Sequence, residues 1–229
     1  MPVVRNEPLR VLQKKLPEFP GFSIEYDPSQ KPFFEGNVIE DLRRIASCDL
    51  GKTLLKDIAA ARPRSRKASN TSSAEIKAVD FPNGINVVVV PTSTQFTQSG
   101  FKMGFFDGGG MEKRLVASDA RSHNVPGCPF HIAGGSCAMA VDLMAAGDGT
   151  GCVSIMKYTN AQIITGKGEA THSFLVLAHE LIHSLHHVTG TRKDKDEENW
   201  TTGLGIYADN PMSENAFRKV FGIKLREQY

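Results

Sequence analysis

The stretch LAHELIHSLHH, Leu177 to His187, constrains the fold of this chain more than any other. It reads as part of one helix from about Ser173 to Val188. Phe174, Leu175, Leu177, Leu181 and Leu185 line one side, and Val176, Ala178 and Ile182 fill most of the rest. A helix with so few polar positions is largely buried. Burying imidazoles and a carboxylate without partners is costly, so His179, Glu180 and His183 need a task. The i, i+4 spacing of His179 and His183 puts both on one face, about 6 Å apart along the axis. Two imidazoles so placed can converge on one Zn²⁺. Glu180 lies about 100° round from His179. It is too close for a third ligand, but it can take a proton from a water that the metal acidifies. His186 sits about 10 Å further along the axis than His179, out of reach of the same ion. His187 is expected behind the ligands or at the surface.

A third ligand must come from elsewhere. The pattern that adds a glycine at 186 and a histidine at 189 is excluded, because the chain has His186 and Thr189. A Gly190-Thr191-Arg192-Lys193-Asp194 turn comes near the aspartate solution but lacks the aromatic-glycine pair that should follow. That leaves a glutamate on a second helix: Glu197, Glu198 or Glu214. Glu197 and Glu198 fall in the hydrophilic run TRKDKDEENW, which reads as a solvated loop. Glu214 opens PMSENAFRKVF, where Pro211 precedes, Ser213 can cap, and Phe217, Val220 and Phe221 supply an apolar stripe. Glu214 is the expected third ligand.

Around this helix the chain reads as one α+β domain. Residues 1–36 carry six prolines, which suits an extended or partly disordered arm. Residues 37–229 then form a compact zincin-like metalloprotease domain, with the HExxH helix beside a small mixed sheet. Helical spacing runs from about Val38 to Ala61, with Gly51 as a possible break. RPRSRKASNTSSAE is a basic, serine-rich linker. Asn83-Gly84 is a turn before the buried strand INVVVV, and GCVSIMKY is a further strand. GFFDGGG lacks the Lys-Ser/Thr and following helix of a phosphate loop. Strand, loop, then HExxH helix is the order of a zincin catalytic half.

Composition closes off other classes. With 27 basic and 25 acidic residues the net charge is +2, which gives no reason to expect nucleic acid or an anionic membrane as partner. No apolar run approaches the roughly 18 residues of a spanning helix, and the N-terminus lacks the apolar core of a Sec signal peptide. Four scattered cysteines, Cys48, Cys128, Cys137 and Cys152, show no CxxC spacing and read as reduced thiols. A purely structural zinc would close its shell with four protein ligands, usually including cysteine, and would leave Glu180 idle.

HELIHSLHH, then TTGLG, then SENAFRKVFGIKLREQY resembles the NleD-type zinc metalloproteases delivered by bacterial type III secretion. The IASCDLGKTLLKDI helix is similar to theirs, so the resemblance runs from roughly residue 22 to the C-terminus. HELIH is shared with clostridial neurotoxin light chains, whose third ligand and Arg-x-x-Tyr pair lie further apart in sequence. The resemblance implies a zinc endopeptidase acting in the host cytosol on signalling proteins, mitogen-activated protein kinases being the best-known target class. It makes the N-terminal arm a type III export signal and the place where a secretion chaperone would bind. Arg226 and Tyr229 in LREQY become the groups that meet charge on the carbonyl oxygen, with Tyr207 in reserve. The alternative is an effector that binds zinc and a host protein without cutting it.

Overall fold

The structure, a computed structural model, describes residues 12–29, 31–66, 81, 83–91, 94–97, 100–105, 136–160, 163–164 and 170–228. Its centre is a five-stranded mixed sheet in the order β1 (Leu12–Lys15), β2 (Gly21–Tyr26), β3 (Ile85–Pro91), β7 (Ser154–Tyr158), β6 (Cys137–Ala140). β2, β3 and β7 run parallel, while β1 and β6 are antiparallel edges. Two small ribbons, β4 (Thr94–Thr97) with β5 (Gly100–Phe105) and β8 (Ile163–Ile164) with β9 (Ala170–Thr171), lie outside this sheet. The fold is α+β, as expected.

The continuous apolar run of β3 has a simple cause. Successive strand side chains point to opposite faces, and both faces of this sheet are covered. Val87 and Val89 join Phe22, Ile24, Met156 and Tyr158 in a core under the helices. Val88, Val90 and Ile155 face a second core with Met139, Val141 and Val153.

Three helices cover the first core: α1 (Phe34–Ala46), α2 (Asp49–Ala60) and α3 (Ser173–Thr189). The break between α1 and α2 falls at Ser47-Cys48, not at Gly51. The Cys48 Sγ accepts from the Gly51 N–H at 3.4 Å and caps α2. Gly51 is required by proximity, since a Cβ there would lie 1.9 Å from the Ile45 carbonyl oxygen. The glycine lets the helix pair turn tightly.

The described part of the proline-rich N-terminal segment is not an arm. β1 and β2 are integral strands, and Phe22 and Ile24 are fully buried. Pro17, Pro20 and Pro28 fall in the flanking turns, where missing N–H donors cost no ladder bonds. Residues 1–11, the serine-rich linker from residue 67 onward and the GFFDGGG stretch after Phe105 lie outside the described residues.

α3 packs against α1, α2, β6 and β7, and also against two short C-terminal helices, α4 (Glu197–Thr202) and α5 (Glu214–Val220). Leu177, Leu181 and Ile182 are completely buried, each contributing about 1.5–3 kcal/mol. Among the described residues no helix is long and apolar enough to cross a membrane.

Candidate metal centre

The packing of α3 forces its polar residues into the protein. His179, Glu180 and His183 are all buried, as are His186 and His187. His179 Nε2 and His183 Nε2 converge to 3.1 Å, as the helical spacing predicts. Glu198 Oε2, projecting from α4, lies 3.2 Å from each. These three atoms form a nearly equilateral triangle.

A tetrahedral zinc with bonds of about 2.0–2.1 Å has ligand–ligand edges of about 3.3 Å, so the triangle fits such an ion. Two imidazole nitrogens and a carboxylate oxygen are also a common zinc donor set. With no cation between them, their lone pairs would repel at this distance. The opposite ring nitrogens are anchored. Glu214 Oε2 lies 2.9 Å from His179 Nδ1, and Glu197 Oε1 lies 3.0 Å from His183 Nδ1. Protons on both Nδ1 atoms leave the Nε2 lone pairs facing the triangle.

Glu198, and not the expected Glu214, stands beside the two Nε2 atoms. Glu214 is buried at the first turn of α5, as predicted, and Ser213 caps that turn by accepting from the Ala216 N–H at 3.2 Å. But its carboxylate meets His179 from behind, and it is held there by Arg218 Nε at 2.7 Å and Arg226 Nη1 at 2.9 Å. Glu197 and Glu198 do not lie in a solvated loop; Glu197 is buried and Glu198 is partly so. The apolar stripe expected of α5 is also incomplete, with Phe217 buried and Val220 exposed.

Glu197, like Glu214, binds three partners. Its Oε1 also lies 2.6 Å from His186 Nδ1, and its Oε2 accepts the Lys193 backbone N–H at 2.9 Å. His186 stacks flat on Trp200 at 3.7 Å, and Lys193 Nζ lies 4.3 Å from the Trp200 and Tyr207 ring centres. His183, His186 and Glu197 could in principle ligate a second ion, but their shared hydrogen bonds already satisfy them. His187 is buried rather than exposed, with Nδ1 3.0 Å from Ser154 Oγ.

Charges follow from these contacts. Burial opposes any ionisation of His179 and His183, but Glu198 and Glu214 on one side and Glu197 and Glu198 on the other overcome it and raise both proton affinities. The pocket favours a cation, whether proton or metal. Burial raises Glu214, yet His179 and the two arginines bring it down to about 2. Glu197 and Glu198 are likewise held ionised against burial by the histidines. Glu180 behaves oppositely. Burial raises it to about 7 against the pull of His179 and His183. Its Oε2 accepts the Ala138 N–H of edge strand β6 at 2.7 Å, which ties the carboxylate to the sheet.

The remaining predicted groups are placed as follows. Arg226 reaches the centre through Glu214, and residues 223–228 form no helix. Tyr229 lies outside the described residues. Tyr207 sits in a 3₁₀ turn (Gly205–Tyr207), where its hydroxyl accepts from Lys193 at 3.3 Å. Sequence reasoning missed the parts played by Ala138, Trp200 and Arg218. Only the adjacent pair Glu197-Glu198, following so soon after the HExxH helix, was a usable signal.

The α+β fold and this centre define a chain able to hold a divalent metal on two histidines and a glutamate. No protein-family model matches the sequence, and no curated protein matches it either. Among solved structures it is similar to the Clostridium botulinum neurotoxin serotype F light chain (17% identity, TM-score 0.45, covering 82% of this chain and 55% of that one). It is similar also to the catalytic domain of Clostridium botulinum neurotoxin serotype F (16%, TM-score 0.49, 95% and 65%) and to the botulinum neurotoxin type G light chain (17%, TM-score 0.38, 81% and 51%). The chain thus spans about half to two-thirds of the length of these structures.

Proposed function

We propose that this protein is a zinc-dependent endopeptidase in which His179, His183 and Glu198 hold the metal. The observation that carries the reading is the triangle of donor atoms with Glu180 buried beside it. When bound, zinc supplies Lewis acidity, polarising an amide carbonyl and making water acidic enough to attack near neutral pH. Glu180 takes the proton from the attacking water and returns it to the leaving amine. Its raised proton affinity suits both halves of that transfer, and the Ala138 N–H fixes the direction of the carboxylate. Arg226 offers a guanidinium for the negative charge that develops on the carbonyl oxygen. Glu197 and Glu214 hold the histidine rings in the ligating tautomer.

The resemblance of HELIHSLHH and SENAFRKVFGIKLREQY to NleD-type proteases supports the finer reading. In that reading the enzyme is an effector, delivered by type III secretion with a chaperone at its N-terminus, that cuts host signalling proteins in the cytosol. Incubating the zinc-loaded protein and Glu180→Gln with host-cell lysate and sequencing new protein termini tests it. Termini made by the wild type alone, mapping to signalling kinases, support the full reading. No new termini from the wild type would overturn the peptidase.

A further inference from the structure

Beyond α3 the centre draws Glu197, Glu198 and Glu214 from two short helices, and Arg226 from a tail that has no regular secondary structure over residues 223–228. Such a tail must be fixed by specific bonds. Arg218 Nη1 donates to the Lys224 carbonyl at 2.9 Å, and the Ile223 N–H donates to the Arg218 carbonyl at 2.8 Å. These ties stop short of residue 226. At Arg226 the backbone is gripped by one side chain, Asn215, from both directions. The Arg226 N–H donates to Asn215 Oδ1 at 2.8 Å, and Asn215 Nδ2 donates to the Arg226 carbonyl at 2.9 Å. The amide acts as a one-residue strand partner.

Asn215 Nδ2 makes a further bond, to the Gly203 carbonyl at 3.2 Å. Gly203 terminates α4, the helix that carries Glu197 and Glu198. It is left-handed (φ +80°), and a Cβ there would lie 2.6 Å from Ser213 Oγ, so only glycine lets the two helix ends approach this closely. One side chain therefore registers three segments: the end of α4, the start of α5 beside Glu214, and Arg226. The task needs an acceptor and two donors on a short stem. Asparagine alone supplies them, since aspartate has no donor and glutamine is a methylene longer.

We propose that Asn215 is a positioning residue that holds Arg226 where its guanidinium can meet the reacting carbonyl. This rests on the role given to Arg226 above. The test is a double-mutant cycle of Asn215→Ala and Arg226→Ala in the zinc-loaded enzyme, read with a peptide substrate. With Arg226 present, Asn215→Ala should lower kcat by about 10- to 100-fold and change KM less than about threefold, because the interaction acts in the transition state. With Arg226→Ala, the same substitution should cost less than about twofold. Equal losses in both backgrounds are the result of general damage to folding and would overturn the proposal.

A second readout needs no turnover. In the metal-free protein, the Arg226 amide of Asn215→Ala should exchange its hydrogen at least about tenfold faster than wild type, while α3 amides stay unchanged. A wild-type exchange rate at Arg226 refutes the grip on its own. If the wild-type enzyme cuts no peptide, the peptidase reading falls, and the exchange result alone decides whether Asn215 holds Arg226.

Discussion

α3 and the segment from Gly190 to Gln228 each supply half of the centre, by different means. α3 is one 17-residue helix with 13 buried positions, held by the sheet on one side and two helices on the other. The C-terminal segment has only short helices and turns, and side chain–backbone bonds from residues such as Asn210, Asn215 and Arg218 hold it together. The first half is placed by the hydrophobic effect, the second by individual hydrogen bonds. Substitutions in α3 should therefore unfold the protein unless they conserve shape. Those in the second half should disarm the centre while the fold survives.

The largest expected effect is at Glu180. Glu180→Gln, close in shape, should keep zinc content and melting temperature but lower kcat by about 10²- to 10⁴-fold, the usual contribution of general base catalysis. Wild-type turnover by a zinc-replete variant would break the assignment of the base.

Next come the anchoring acids. Glu197→Ala and Glu214→Ala should each weaken zinc binding by about 10- to 100-fold, as expected when a ligating histidine loses its partner. Both should also cost stability, since Glu197→Ala strips His183, His186 and the Lys193 N–H, and Glu214→Ala strips His179, Arg218 and Arg226. Zinc titration and thermal melts of both variants check this, and an unchanged affinity in both would remove the anchoring role.

A smaller effect sharpens the α3 side of the comparison. Burial holds His187 neutral, lowering it from 6.5 to about 3. The unfolded chain takes up a proton there below about pH 6.5 and the native chain does not, so native stability falls as pH drops from 6.5 towards 3. The slope from this group is at most about 1.4 kcal/mol per pH unit. Urea unfolding at pH 7, 6 and 5 should show a shallower decline in His187→Asn than in wild type. Parallel declines contradict it. The smallest effect belongs to Val220, 54% exposed. Val220→Ser should alter stability by no more than about 0.5 kcal/mol, and a loss above 2 kcal/mol would mean that α5 contributes to the core more than its burial shows.

The same contrast explains what could be read from the residues. Hydrophobic periodicity reports burial, so α3, β3 and β7 were legible, as was the convergence of His179 and His183. Ser213 announced α5 because capping has a chemical signature. Glu197 and Glu198 were misread because EENWTT has no apolar stripe. Its helix exists because Glu197 meets two buried imidazoles and Trp200 stacks on one of them, contacts distant in sequence. Glu214 was found buried and facing His179, but which ring nitrogen it meets depends on a helix crossing that no local pattern encodes. Proline density suggested an arm over residues 1–36, but at 12–28 the prolines mark the ends of strands.

The account stands on Glu198 as the third ligand. Purified wild-type, Glu198→Ala and Glu214→Ala proteins, dialysed against buffered zinc and assayed for bound metal, test it directly. Wild type should hold one equivalent, Glu214→Ala should hold one at raised zinc concentration, and Glu198→Ala should show the weakest binding of the three. Wild-type affinity in Glu198→Ala together with a metal-free Glu214→Ala would contradict the account and return the third ligand to α5.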